Sequence, residues 1–245
     1  MATTDQLQLP AEQAAELVTR WQTVYEQVQT AAHTHHTAPV RLLAVSKTHP
    51  AAAVHTLAQA GQHEFGENYV QEAVEKITAL SDKRYDGKAL VWHFIGHIQR
   101  NKTKTIAANF DWVHSVDSLL IAERLSRQRG EHGIDTALNV CIQLNIDDEA
   151  SKSGCQPEEL PELVRAISQL PNLRLRGLMI IPAKDSTSAF CRTRQLFDAV
   201  QDQHASPTDW DTLSMGMSAD MATAIAAGAT IVRVGTAIFG QRPAK

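Results

Sequence analysis

The stretch Val40-Arg41-Leu42-Leu43-Ala44-Val45-Ser46-Lys47-Thr48-His49-Pro50 decides how the rest of the chain is read. Its apolar run is too short for a helix and reads as a strand buried on both faces, while Pro50 suits the first turn of a helix behind it. A strand feeding a helix in this way is the βα unit of a parallel sheet. The connection Ser46-Lys47-Thr48-His49 holds no glycine, so the G-x-G-x-x-G loop of a dinucleotide-binding open sheet is missing.

Outward from that stretch the same alternation recurs. Short apolar runs at 63–65, 90–95, 112–116, 137–144, 173–181, 212–215 and 230–234 alternate with amphipathic segments near 70–80, 157–170, 187–203 and 219–227. Asp117 or Ser118 is placed to cap the helix behind the fourth run, and Gly228 to end the helix before the eighth. Ahead of the first strand, Leu17, Trp21, Val24, Tyr25 and Val28 recur at helical spacing, which predicts a helix over 10–36. One leading helix and eight βα units in 245 residues predict a single (β/α)8 TIM barrel, one α/β domain over 1–245 with 1–38 packed on it as a leading helix. A doubly wound open sheet is the alternative, and the missing fingerprint speaks against it.

Composition narrows the function. With 43% hydrophobic and 20% charged residues the chain is neither disordered nor fibrous. Lys and Arg total 23 against 27 for Asp and Glu, a net charge of -4, so no broad basic surface is expected and nucleic acid is not an expected partner. Residues 1–10 carry neither a basic region nor an apolar one, and no apolar run reaches the roughly 18 residues of a membrane span. A cytoplasmic protein without membrane contact is expected. Cys141, Cys155 and Cys191 form no C-x-x-C pair, which suits a reducing compartment and gives no metal site.

Polar residues at the carboxyl ends of barrel strands are where chemistry is expected. Lys47 is either a solvated strand-end lysine or, partly desolvated, an amine able to attack an aldehyde as a Schiff-base nucleophile. Ser214-Met215-Gly216-Met217-Ser218 and Val234-Gly235-Thr236 follow the seventh and eighth strands, the recurrent phosphate site of such barrels. Ser218 and Asp220 are also helix-cap candidates. Arg233 interrupts an apolar strand, so it either pairs with an inward carboxylate or donates to a ligand acceptor such as a pyridine nitrogen.

With these segments in place the chain resembles the pyridoxal phosphate homeostasis proteins, the YggS or PROSC family. The resemblance runs through Ala44-Val45-Ser46-Lys47-Thr48, Phe65-Gly66-Glu67-Asn68-Tyr69-Val70-Gln71-Glu72, Trp92-His93-Phe94-Ile95-Gly96-His97-Ile98-Gln99-Arg100-Asn101-Lys102 and Ser115-Val116-Asp117-Ser118. It continues through Ser151-Lys152-Ser153-Gly154, Gly177-Leu178-Met179, 213–218 and 232–240, and departs at Gln241-Arg242-Pro243. It implies a fold-type-III barrel related to the amino-terminal domain of alanine racemase, holding pyridoxal 5′-phosphate as an internal aldimine on Lys47. It further implies that Ser214, Gly235 and Thr236 bind the phosphate, that Arg233 faces the pyridine nitrogen and that Asn68 contacts the ring region. The family's role is to buffer the cofactor and deliver it to dependent apoenzymes, which affects amino-acid and keto-acid balance.

An arginine facing the ring nitrogen makes a weaker electron sink than a pyridinium, so demanding carbanion chemistry needs further acids and bases. Related racemases take one from a carboxyl-terminal β-domain and a dimer partner, whereas this chain stops shortly after its eighth strand. A monomeric carrier without robust turnover is therefore expected. A small fold-type-III enzyme such as a racemase is one alternative, and a barrel for another phosphorylated ligand is a second. Tyr69 follows the second strand near the expected mouth, where it is a candidate for the missing acid or base, but it is expected to be a packed aromatic opening a helix. His33, His35 and His36 read as a solvated helix end, Lys102 and Lys104 as a solvated helix face, and His93 with His97 as a strand end and loop without helical ligand geometry. Ser151-Lys152-Ser153-Gly154 is either a basic lid over the phosphate mouth or an ordinary polar loop.

Overall fold

The computed structural model describes residues 7–35, 39–149, 152–184, 186 and 188–241. Eight strands close into a parallel barrel in chain order: β1 (Arg41–Val45), β2 (Glu64–Glu67), β3 (Val91–Phe94), β4 (Trp112–Val116), β5 (Leu138–Leu144), β6 (Leu173–Ile180), β7 (Thr212–Ser214) and β8 (Ile231–Val234). Strand β1 pairs with both β2 and β8, which disposes of the open-sheet alternative. Helices α1 (Ala11–Thr34), α2 (Ala51–Gln59), α3 (Val70–Leu80), α4 (Thr103–Asn109), α5 (Leu119–Glu131), α6 (Leu160–Ile167), α7 (Ala189–Ala199), α8 (Met221–Ala226) and the short α9 (Thr236–Phe239) surround it.

Most of the apolar core lies between strands and helices, because each strand turns alternate residues outward against the ring. Inside the barrel, Leu43, Val45, Ile95 and Ile231 make one apolar cluster and Trp112, Cys141 and Met179 another. The leading helix buries Leu17, Trp21, Val24 and Val28 and lies against α2, α8 and α9. Its Trp21 Nε1 donates to Gln62 Oε1 at 2.8 Å, so the apolar stripe also carries a satisfied polar group.

Several elements differ from the sequence expectation for local reasons. Strand β2 runs on to Glu67, since Gly66 and Glu67 pair with His93 and Phe94 of β3. Gly66 reads as a turn residue, yet a Cβ there would lie 3.2 Å from Leu43, so the glycine serves crowding inside the barrel. The helix expected at 157–170 begins as a 3-10 turn, Pro157–Glu159, and that expected at 187–203 ends in another, Gln201–Gln203. Ser118 is the residue before α5, but its hydroxyl meets Asp117 Oδ1 at 3.2 Å and caps nothing. Gly228 does end the α8 segment, at φ 93. Pro50 precedes α2 as its N-cap residue.

Gly177 pins the closure between β6 and β7. With φ 154 it brings the strands so close that a Cβ would meet Thr212 O at 1.8 Å, and the β5–β6 register shifts beside it between Val140 and Cys141.

Candidate functional site

Lys47 lies half-buried in the turn that leaves β1 at the carboxyl-end rim. The next residue, Thr48, has φ 66, a left-handed conformation that costs a β-branched residue about 1–2 kcal/mol. Helix α3 holds the turn in that shape. Lys76, 4% exposed, donates through Nζ to Ser46 O at 2.7 Å, Glu67 Oε1 at 2.7 Å and Glu72 Oε1 at 2.6 Å. Glu72 Oε1 also accepts the Thr48 N–H at 2.5 Å, and Ser46 Oγ donates to Glu67 Oε1 at 2.6 Å. Burial pushes the Glu67 carboxyl up from its usual range, with Lys76 pulling the other way.

Strands β7 and β8 complete the adjoining arc. Ala44 pairs with Val234, which sets the Lys47 turn beside the Gly235-Thr236 turn on the same rim. A Cβ on Gly235 would lie 3.3 Å from Val45 O, so glycine lets the two strand ends meet. Gly216, at φ 94, turns the chain after β7, and its carbonyl accepts the Arg233 N–H at 3.0 Å. Arg233 is 5% exposed and donates to Ser214 Oγ and Ile180 O, each at 2.8 Å. Among the described residues no carboxylate lies within ion-pair distance of it, so the inward salt bridge is not found. Two of its five N–H groups are used. Burial lowers its pKa to about 10, which still leaves it charged at neutral pH.

Ser214 itself is fully buried, its hydroxyl held between Arg233 and His114 Nδ1 at 2.8 Å each. In the same segment Ser218 is exposed, and Asp220 occupies the position before α8 with Oδ1 turned back to the Met217 N–H at 2.5 Å. Gly235 is half-buried and Thr236 exposed. Asn68 follows β2, and its Oδ1 is buried with no hydrogen-bond partner.

Asn68 also lines a cavity of about 190 Å³ at this rim, with Gly96, Gln143, Asn145, Lys152 and Ser153 among its walls. The loop behind β5 is stitched over it. Gln143 Nε2 donates to Ser153 O at 2.7 Å, Cys155 N–H to Gln143 O at 2.9 Å, and Asn145 N–H to Cys155 O at 3.0 Å. Ser153 Oγ meets His97 Nδ1 at 3.0 Å, and Lys152 pairs with Glu149 at 3.0 Å. The candidate basic loop therefore borders the mouth, with Ser151 outside the described residues. Tyr69 is 53% exposed, since residue 69 stands at the start of α3 on the rim rather than under it, which corrects the packed-aromatic expectation.

The sequence reading missed the centre of the barrel. His93 and His114, both fully buried, join Nδ1 to Nε2 at 2.9 Å. His93 stacks on Trp112 at 5.4 Å, which fixes its ring plane. Burial pushes both imidazoles well below their usual pKa, so both are neutral. A signal existed: His93 interrupts an apolar strand at Trp92-His93-Phe94, and His114 stands inside the strand Trp112-Val113-His114-Ser115-Val116. His97 lies on the exposed loop away from His93, and among the described residues no His, Cys, Asp and Glu cluster could hold a metal. His33 and His35 lie at the end of α1, with His36 outside the described residues. Lys104 is exposed on α4 and Lys102 half-buried in the 3-10 turn before it.

The chain matches the family model of the alanine racemase amino-terminal domain over residues 21–243, so its fold and rim define a barrel of that class. Alanine racemase from Corynebacterium glutamicum shares the fold at a TM-score of 0.66 with 16% identity, covering 94% of this chain and 62% of that one. The chain belongs to the pyridoxal phosphate homeostasis protein family. It is 55% identical over 210 residues to the member from Pseudomonas aeruginosa, covering 84% of this chain and 86% of that one. For the Escherichia coli K12 member the identity is 52% over 205 residues, covering 83% and 86%. PipY of Synechococcus elongatus, solved with pyridoxal phosphate bound, is 37% identical with a TM-score of 0.78 and covers 91% of this chain and 100% of that one.

Proposed function

We propose that this protein binds pyridoxal 5′-phosphate at the carboxyl-end rim and serves its intracellular homeostasis as a monomeric carrier, buffering the cofactor and releasing it to dependent apoenzymes. The observation that carries the reading is Arg233: a buried guanidinium with no carboxylate partner among the described residues, hydrogen-bonded to Ser214, on the strand beside the one that leads into the Lys47 turn. The unpartnered Asn68 Oδ1 at the same rim supports it, being a buried acceptor that a ligand donor would satisfy.

The residues divide the work. Lys47 supplies the primary amine, and the Lys76 and Glu72 network keeps its turn in place before any ligand arrives. When bound, the cofactor supplies an aldehyde that condenses reversibly with such an amine. Gly235, Thr236 and the exposed Ser218 offer backbone and hydroxyl donors to the phosphate. Ser214 acts on the ligand through Arg233, whose spare N–H groups donate to the ring nitrogen and keep it unprotonated. Asn68 borders the ring. Withholding a proton from that nitrogen weakens the ring as an electron sink, which suits holding the cofactor over driving carbanion chemistry.

The test is absorbance and intact mass of cofactor-supplied protein before and after borohydride reduction, compared with Lys47→Ala. The expected result is a Schiff-base absorbance and a fixed adduct on the Lys47 peptide, both lost in the variant. Wild-type protein with neither signal overturns the reading. Brisk exchange of amino-acid α-protons, abolished by Lys47→Ala, would overturn the carrier role in favour of a small racemase-like enzyme.

A further inference from the structure

A single file of hydrogen-bonding groups crosses the inside of the barrel from floor to rim. It starts at Glu64, the first residue of β2, and passes to His93 on β3, His114 on β4, Ser214 at the end of β7 and Arg233 on β8. The links are 3.4 Å from Glu64 Oε2 to His93 Nε2, 2.9 Å between the imidazoles, 2.8 Å from His114 Nδ1 to Ser214 Oγ, and 2.8 Å from Ser214 Oγ to Arg233 Nη1. Glu64 Oε2 and His93 Nε2 are both buried and neither makes a hydrogen bond of ordinary geometry, so the file ends in a close contact between two unsatisfied groups. At 3.4 Å theirs is the loosest link.

We propose that Glu64, on the barrel floor, is a positioning residue for Arg233 at the rim, because its carboxylate faces the last N–H of this file and so supports from the far end the one bond direction that Arg233 imposes. The proposal rests on the reading that Arg233 faces the ligand.

The direction follows from counting protons. Arg233 has only donors, so Ser214 accepts from it. The Ser214 hydroxyl proton then has one hydrogen-bond partner left to accept it, His114 Nδ1. A neutral imidazole carries a single N–H, so accepting at Nδ1 places the His114 proton on Nε2, where it donates to His93 Nδ1. By the same rule the His93 proton sits on Nε2 and points at Glu64. The ionised carboxylate accepts it. The file thus runs one way, from a donor-only guanidinium to an acceptor-only carboxylate, and each bond polarises the next.

Protonating Glu64 leaves only a neutral carbonyl oxygen to face the His93 N–H and removes the negative charge that polarises the file from this end. Groups facing Glu64 are Arg41 from β1, whose Nη1 lies 3.5 Å from Oε1, His93 from β3, and the adjacent His63 just before β2. Arg41 and Arg176 pack over Trp112 at 4.6 and 5.0 Å. Burial raises the Glu64 pKa above its usual value against the pull of Arg41. Retention of the ligand is therefore full above that raised value and declines as pH falls through it.

Two measurements test this. Nitrogen-15 shifts of the two buried imidazoles in ligand-free wild-type protein should show both as Nε2–H tautomers near neutral pH, and this needs no variant. Cofactor release should be about tenfold faster in Glu64→Leu, which leaves the buried His93 N–H facing no acceptor. Glu64→Gln, whose neutral amide stands in for the protonated carboxyl, should release at the rate wild type reaches in acid and should lack the wild-type pH dependence. A proton on Nδ1 of either histidine, or equal release from wild type and Glu64→Leu with parallel pH profiles for Glu64→Gln, overturns the proposal. Failure of wild-type protein to retain the cofactor at any pH would instead overturn the functional reading, and the tautomers would still decide the file.

Discussion

Replacing Lys76 with methionine is the sharpest perturbation of the rim, because it removes one ammonium from three acceptors at once. Glu67 is fully buried and would keep only the Ser46 hydroxyl, with its Oε2 already unpartnered. Breaking a buried ion pair from one side costs about 3–5 kcal/mol. Glu72, 29% exposed at its side chain, stays hydrated and adds little. In a chain of this size each kcal/mol is worth roughly 2–4 °C, so Tm should fall by about 6–20 °C. The loss should depend on pH. Burial already holds the Glu67 carboxyl above its usual range, and without Lys76 its folded-state value moves higher. A group raised on folding contributes most below its unfolded value and loses that contribution as pH rises through the folded one. The deficit against wild type should therefore be small in acid and reach its full size above neutrality. Urea denaturation at about pH 5 and pH 8 reads this directly, and Lys76→Met combined with Glu67→Gln should recover most of the loss. A deficit below about 1 kcal/mol at pH 8, an equal deficit at both pH values, or a double variant no better than the single would refute the reasoning.

Gly177→Ala should cost more than about 2 kcal/mol, combining overpacking with an unfavourable φ, because its Cβ meets Thr212 O at 1.8 Å; thermal denaturation measures it, and an unchanged Tm would contradict the close strand approach. Of three cysteines, Cys191 is exposed while burial pushes the Cys141 and Cys155 thiols up to about 12, so native protein should react promptly with one equivalent of a disulfide reagent and with three after unfolding. Prompt reaction of a second thiol would show that the loop over Cys155 opens readily.

The barrel was legible because strands buried on both faces write themselves as short apolar runs, and closure followed from counting them. The Lys47 turn and the Gly235-Thr236 turn could be placed on one rim for the same reason, since the first and last strands of a closed sheet are neighbours. Gly66 and Glu67 were lost from β2 because glycine punctuates local sequence, whereas its reason here is Leu43 and Ile95 across the barrel interior. The histidines escaped for a related cause. His93 finds His114 across 21 positions and His114 finds Ser214 across 100, distances at which sequence periodicity says nothing. Ser214 was legible as a rim residue by its strand, but which way its hydroxyl turns depends on those partners.

The staves of such a barrel are easily imagined as interchangeable, each carrying its own working residue at its tip. The turn after β1 does not behave that way. Its left-handed Thr48 and its Ser46 carbonyl are held by side chains of α3, which belongs to the following stave. Anyone grafting the lysine into another scaffold would have to move residues 41–80 together. The smallest portable piece that keeps this turn is two staves long.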